Sequence, residues 1–175
     1  MVVSTVRYRW LKSHSMPLYP CFTIRPYCAS DAQQTARVFY DSVHIGAASF
    51  YSLAQRQAWA PEIPKPPLWG QRLANATTMV AVKNNRVVGF MSLTGGGMLD
   101  LAYVLPAVMG MGVAEDLYRK ILEIAQDRDL VALGTEASHM ARRFFLKHGW
   151  REVTEQTVER NGVELTNFLM AKYLK

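Results

Sequence analysis

Leu99-Asp-Leu-Ala-Tyr-Val-Leu105 runs directly into Pro106-Ala-Val-Met-Gly-Met-Gly-Val-Ala114, and this junction decides the fold. The first segment reads as a strand. Gly112 to about Asp127 reads as a helix, with Val113, Leu117, Ile121, Leu122, Ile124 and Ala125 on one broad apolar face. Gly110 and Gly112 let the backbone approach a ligand closely, and the free N–H groups of the first helical turn point at whatever sits there. Such a start suits phosphate or pyrophosphate. Strand–Gly-x-Gly–helix is as often a plain helix start as an anion site, so the surrounding chain decides.

Upstream, Thr77–Lys83 and Arg86–Leu93 alternate as strands around Asn84-Asn85, a two-residue hairpin turn. Gly95-Gly-Gly97 turns the chain into the strand Met98–Leu105. Phe22–Pro26 reads as a first strand. A helix capped by Ser30-Asp31 runs from there to about Val43, Ser52–Trp59 forms a second, and Leu68–Ala74 has the pattern of another short one. Downstream, Leu130–Gly134 reads as a buried strand. Ser138 caps a helix reaching His148 and stopped by Gly149, and Trp150–Val158 pairs with Val163–Lys172 around Asn161-Gly162. A three-strand meander feeding a β–α–β crossover requires a mixed sheet with helices on both faces.

At 175 residues the chain fits one domain, residues 21–175, behind an irregular extension, residues 1–20. The first fifteen residues lack a signal peptide's apolar core; they are read as plain extension, or as chain preceding a start at Met16. No apolar run is long enough to cross a bilayer. The formal charge of +6 owes part of its excess to Arg7, Arg9 and Lys12. Without an arginine-rich helix or a basic stripe interleaved with aromatics, that charge is read as serving an anionic ligand and not nucleic acid. Cys21 and Cys28 bracket an extended segment, beyond disulfide reach at about 3.3 Å per residue. Free thiols place the chain in a reducing, cytoplasmic setting. The four histidines show no metal-ligand spacing, so no metal is expected.

Three motifs coincide: a strand ending Tyr103-Val104-x-Pro106, the loop Met109-Gly110-Met111-Gly112-Val113-Ala114, and Ala141-x-x-Phe144-Phe145-x-x-x-Gly149-Trp150. Together they resemble the GNAT superfamily of acyl-CoA N-acyltransferases, over roughly Phe22 to Leu174. The resemblance implies an α/β fold of α+β type: a mixed, mainly antiparallel sheet of six to seven strands, helices on both faces, and a splayed strand pair at a CoA groove. It implies acetyl-CoA as co-substrate. Freed backbone groups of Ala102, Tyr103 and Val104 would hold the pantetheine arm, amides of Met109 to Ala114 the pyrophosphate, and Ala141, Phe144 and Phe145 the thiol end. Two departures stand out. The family's first loop residue, commonly Gln or Arg, is Met109, and its frequent proton-donating Tyr is Phe145.

The implied reaction is direct attack of a neutral amine on the acetyl thioester. It needs a base or water chain for the amine proton and a backbone donor, Val104 N–H, for the oxyanion. Asp100, two residues before Ala102 and so expected on its sheet face, is the first candidate base; its other reading is a turn cap. Where some relatives carry a strand glutamate, this chain has Met98. Glu136, at the end of the next strand, is read as base, substrate anchor or salt-bridge partner. Ser138 is an N-cap with a lesser claim on the thiol. Tyr40, His44, Tyr51 and Trp59 fall where the family builds its acceptor pocket, with Tyr40 and His44 sharing a face at i, i+4. His44 is then a second base candidate. His139 and His148 read as exposed.

The leading expectation is an N-acetyltransferase acting on a primary amine, an aromatic acceptor region arguing against a polyamine. A CoA-binding module without turnover, an enzyme for a protein amine, and a mononucleotide-binding domain stay open beside it. The final hairpin leaves a homodimer open.

Overall fold

The computed structural model describes residues 22–174, so the basic extension, Cys21 and the Met16 start lie outside the described residues. Strands β1 (Thr23–Pro26), β2 (Thr77–Lys83), β3 (Arg86–Leu93) and β4 (Leu99–Val104) form an antiparallel sheet in that order. Helices α1 (Ala32–Asp41), α2 (Leu53–Trp59) and α3 (Pro66–Ala74) fill the β1–β2 connection. After β4 come α4 (Val113–Asp127), β5 (Ala132–Ala137), α5 (His139–Lys147), β6 (Arg151–Arg160) and β7 (Val163–Tyr173), with the second sheet ordered β5-β7-β6. The mixed seven-stranded architecture is the one the sequence pattern predicts.

Both faces of the first sheet are covered, which is why β3 is buried from Val87 to Leu93 without alternation. On one face Leu117, Ile121 and Ala125 of α4 pack on Met79, Ala81 and Met91. On the other, Val38, Phe39, Trp69 and Leu73 of α1 and α3 pack on Val80, Phe90 and Leu101. Asn84 and Asn85 have φ of 49° and 61°, the pair of left-handed residues that a type I′ hairpin requires.

Three elements differ from the sequence reading. The first helix is preceded by a 3-10 turn (Ala29–Asp31) and followed by a π turn (Ser42–Gly46), closed by Ala47 N–H on Ser42 O at 3.1 Å. Asp31 stands at the N-cap position of α1 without a side-chain bond to its amides, and its carboxylate closes a capping box on the preceding turn. Its carboxylate is taken by Arg25, at 2.7 and 2.8 Å, and by Cys28 N–H, at 2.9 Å. The strand read at Leu130–Gly134 lies further on, at Ala132–Ala137. Leu130 belongs to the helix stop instead: Asp129 is left-handed (φ 55°) and Leu130 N–H reaches back to Ala125 O at 3.1 Å.

The two sheets meet at a single parallel bridge, Met98 to Gly134. A Cβ on Gly134 would sit 2.7 Å from Met98 Sδ, so a larger residue there would have to displace the methionine's flexible end. Gly134 N–H donates to Gly97 O at 3.0 Å and Thr135 Oγ1 to Leu99 O at 2.8 Å. Past Leu99 the described strands β4 and β5 are unpaired with each other; β4 stays with β3 and β5 with β7.

Candidate active site

The parted strands leave a wedge whose lining follows from register. Leu105 N–H donates to Val88 O at 2.8 Å, so by antiparallel alternation Tyr103 and Leu101 also turn their backbone groups to β3. The backbone groups of Ala102 and Val104 face the wedge. Ser42 Oγ, brought in by the π turn, donates to Val104 O at 3.0 Å and leaves the Val104 N–H to the opening. Tyr103, expected among the freed backbone groups, instead spends them on the sheet and turns its side chain to the α1 face.

From the end of β4 the chain runs into the glycine loop. Gly110 and Gly112 have φ of 78° and 87°, and a Cβ on either would meet nothing within 4 Å. Two loop amides are spent internally: Met109 N–H on Pro106 O at 3.2 Å and Met111 N–H on Val108 O at 3.3 Å. The N–H groups of Gly110, Gly112, Val113 and Ala114 make no bond among the described residues. Val113, 1 % exposed, pins this helix start to the core. The acidic residues of the first turn are occupied, Asp116 with Arg119 and Glu115 with His148 at 2.9 Å. The helix dipole therefore faces outward with its nearest carboxylates engaged.

Helix α5 forms the adjoining wall. Ser138 Oγ accepts from Ala141 N–H at 3.2 Å, the N-cap role read from sequence. Ala141 and Phe144 are partly buried against the core. Phe145 does not reach the wedge: it is 1 % exposed, with Trp150 and Phe144 ring centroids at 4.8 and 5.4 Å. Nearby, Tyr118 accepts from Trp150 Nε1 at 2.7 Å, and burial raises its phenol further from ionisation. His148, read as exposed, is packed between Phe144 and Tyr118 and bonded to Phe144 O and Glu115.

On the opposite side lies a cavity of about 500 Å³. Tyr51 and Trp59 form part of its wall. The Tyr51 hydroxyl is fully used, donating to Thr166 O at 2.9 Å and accepting from His139 N–H at 3.2 Å. Tyr40 and His44 do not line it. The π turn carries His44 to Ala60 O, 2.7 Å from Nε2, where its ring stacks on Tyr40 at 4.2 Å. Asp100 lines the cavity, yet not on Ala102's face. Leu99 pairs with Leu93 and Leu101 with Ser92, so Asp100 is the extra residue of a bulge that breaks the period of two. Both its carboxylate oxygens accept from Arg72 of α3, at 3.1 and 2.9 Å. Glu136 also lines the cavity and has no ion pair among the described residues. Tyr103 adds a phenol pushed up to about 12, chiefly by burial, so it stays a donor at neutral pH.

Arg72, Arg160 and Asn167 also line this cavity, although the sequence reading had not singled them out. Arg72 sits on a helix whose sequence signal is mainly prolines, and Arg160 beside a hairpin turn, where a charge reads as solvated. Among the described residues, no group of three or more His, Cys, Asp or Glu is placed to hold a metal ion, and no helix is long and apolar enough to cross a membrane.

The acetyltransferase (GNAT) domain family matches residues 40–173. The chain is 33% identical over 147 residues to the uncharacterized N-acetyltransferase YafP of Escherichia coli K12, across 84% of this chain and 93% of that one. It superposes on a GCN5-related N-acetyltransferase from Rhodopseudomonas palustris with TM-score 0.82 and 34% identity, covering 87% of this chain and 95% of the other. The PaiA N-acetyltransferase of Thermoplasma acidophilum, solved in complex with coenzyme A, shares the fold at TM-score 0.70 and 15% identity, over 87% of this chain and 99% of its own. A putative acetyltransferase of Salmonella typhimurium, YncA, solved with acetyl-CoA, does so at 0.68 and 17%, over 89% and 95%. With its parted strands and glycine-started helix, the chain belongs to the GNAT family of N-acetyltransferases.

Proposed function

We propose that this protein transfers an acetyl group from acetyl-CoA to a primary amine of a small molecule, by direct attack within a ternary complex. The observations that carry the reading are the parted β4 and β5 and the four unspent amides, at Gly110, Gly112, Val113 and Ala114, in the loop and helix start that follow β4. Those amides suit the diphosphate, and the outward-facing backbone of Ala102 and Val104 suits an extended pantetheine arm. Two neighbours of the same fold, solved with coenzyme A and acetyl-CoA, support a CoA thioester as the ligand.

The amine nitrogen attacks the thioester carbon, the Val104 N–H stabilises the oxyanion, and the C–S bond breaks to release CoA thiolate. Glu136, unpaired on the cavity wall, takes the amine proton directly or through water. Asp100, held by two bonds from Arg72, shapes the wall instead. With Phe145 and Tyr118 both buried in the core, the thiolate leaves unprotonated or takes its proton from water. A cavity of about 500 Å³ fits a small molecule better than a protein segment.

Calorimetry with acetyl-CoA, followed by thiol release across an amine panel, tests the reading. Binding together with amine-dependent thiol release is expected. Binding without release from any amine would leave a CoA-binding module, and absence of binding would remove the reading altogether.

A further inference from the structure

Four charged side chains line the acceptor cavity: Arg72, Asp100, Glu136 and Arg160. Arg72 and Asp100 satisfy each other through two hydrogen bonds. Arg160 and Glu136 have no ion pair among the described residues. They enter from opposite ends. Glu136 pairs with Leu169 of β7, while Arg160 pairs with Val163. Six residues of strand separate these positions, roughly 20 Å before the side chains reach inward.

The strand end that carries Arg160 is held in place. Asn161 Nδ2 donates to Ala58 O at 2.9 Å, Gln55 Nε2 to Glu164 O at 3.0 Å and Tyr51 to Thr166 O at 2.9 Å, tying the hairpin to α2 and to the residue just before it. The same cavity is lined by the aromatic residues Phe39, Trp59 and Tyr103. Asn167, two residues from Leu169 and therefore toward Glu136, lines the same cavity with its Oδ1 buried and without a hydrogen-bond partner. A buried acceptor left unpaired is costly, so this wall is built for a donor that arrives with the acceptor molecule.

Resting on the acetyl-transfer reading above, we propose that the acceptor is a zwitterion: an amine at the Glu136–Asn167 end, an aromatic or apolar body, and a carboxylate at the Arg160 end. Arg160 presents a planar fork of donors matched to a carboxylate, and the protonated Tyr103 phenol adds a neutral donor nearby. Glu136 holds the arriving ammonium before its proton is lost. The separation of the charges selects an extended amino acid over one whose amine and carboxylate share a carbon.

The test compares 4-(aminomethyl)benzoate with benzylamine and 4-(2-aminoethyl)benzoate with phenethylamine, by thiol release at saturating acetyl-CoA. The expected result is a kcat/KM higher for the carboxylate member of at least one pair by about tenfold or more, carried mainly by KM. In Arg160→Met that ratio falls to about one, and Arg160→Lys keeps part of it, which a merely structural role would not produce. Equal or reversed ratios in the wild-type enzyme overturn the proposal without requiring any variant to fold. Acetyl-CoA binding is read in parallel. Bound acetyl-CoA with neutral amines preferred, or with no turnover in the panel, refutes the zwitterion alone. No acetyl-CoA binding refutes the transferase reading with it.

Discussion

Replacing Gly112 once by alanine and once by aspartate separates the two things this residue does. Its φ is +87° and an added Cβ meets nothing within 4 Å, so alanine introduces conformational strain and no collision. The left-handed backbone costs an L-residue about 1–2 kcal/mol. A domain of this size loses roughly 2–4 °C of Tm per kcal/mol. Aspartate shares that strain, eased by its tolerance of the left-handed region and its aptitude as an N-cap, but adds a negative charge beside the unspent amides of Val113 and Ala114. With an effective dielectric of about 20, a unit charge within about 7 Å of an anionic ligand costs about 2–3 kcal/mol per ligand charge. Measured by calorimetry with acetyl-CoA, the Kd of Gly112→Asp should exceed that of Gly112→Ala by ~30-fold or more, and the ratio should shrink as salt rises. A ratio near one at low salt, with both variants folded, would take the loop out of the binding site.

Glu136→Gln should lower turnover by about 100-fold or more if Glu136 moves the amine proton, while acetyl-CoA affinity in calorimetry stays close to wild type. Asp100→Asn should act mainly on acceptor KM by releasing Arg72; an equal loss confined to kcat would return the base role to Asp100. Phe145→Tyr should cost about 1–3 kcal/mol in urea unfolding and bring no gain in rate, because its hydroxyl would enter a core position 1 % exposed; a faster enzyme would contradict that placement. Asp31→Asn should destabilise the fold by about 1.5–3 kcal/mol at neutral pH through lost bonds to Arg25 and Cys28 N–H. The Arg25 guanidinium holds the Asp31 carboxyl below its ordinary range. Its stabilisation is therefore complete above the unfolded-state pKa and lost as pH falls through the lower folded value. Unfolding followed against pH should show the wild-type advantage vanish in strong acid, and a constant difference would refute the assignment.

Most elements were legible because each carries a local signature. The Asn84-Asn85 turn needs two left-handed residues, Ser138 supplies an N-cap, and α4 repeats apolar residues at helical spacing. The β5 boundary was misread because Leu130 looks like strand and serves as the apolar stop of a helix, a distinction made by a backbone bond and not by residue type. The Phe145 misplacement is similar: the motif names the position, but packing against Trp150 decides that the ring lies in the core.

By itself the sequence determined the order of elements, the turn that starts α4 and the family to which these motifs belong, since each depends on residues a few positions apart. Tertiary structure alone decided which groups face one another. The bulge at Asp100 reversed a face that strict alternation would have assigned, and the π turn drew His44 to Ala60. Pairing of β7 with both β5 and β6 brought Glu136 and Arg160 to one cavity from strands separated by a helix. A charge in a sequence does not state its partner. Whether Arg72 is neutralised and Arg160 left available depends on distances between segments far apart in the chain, and these exist only once the sheets have packed.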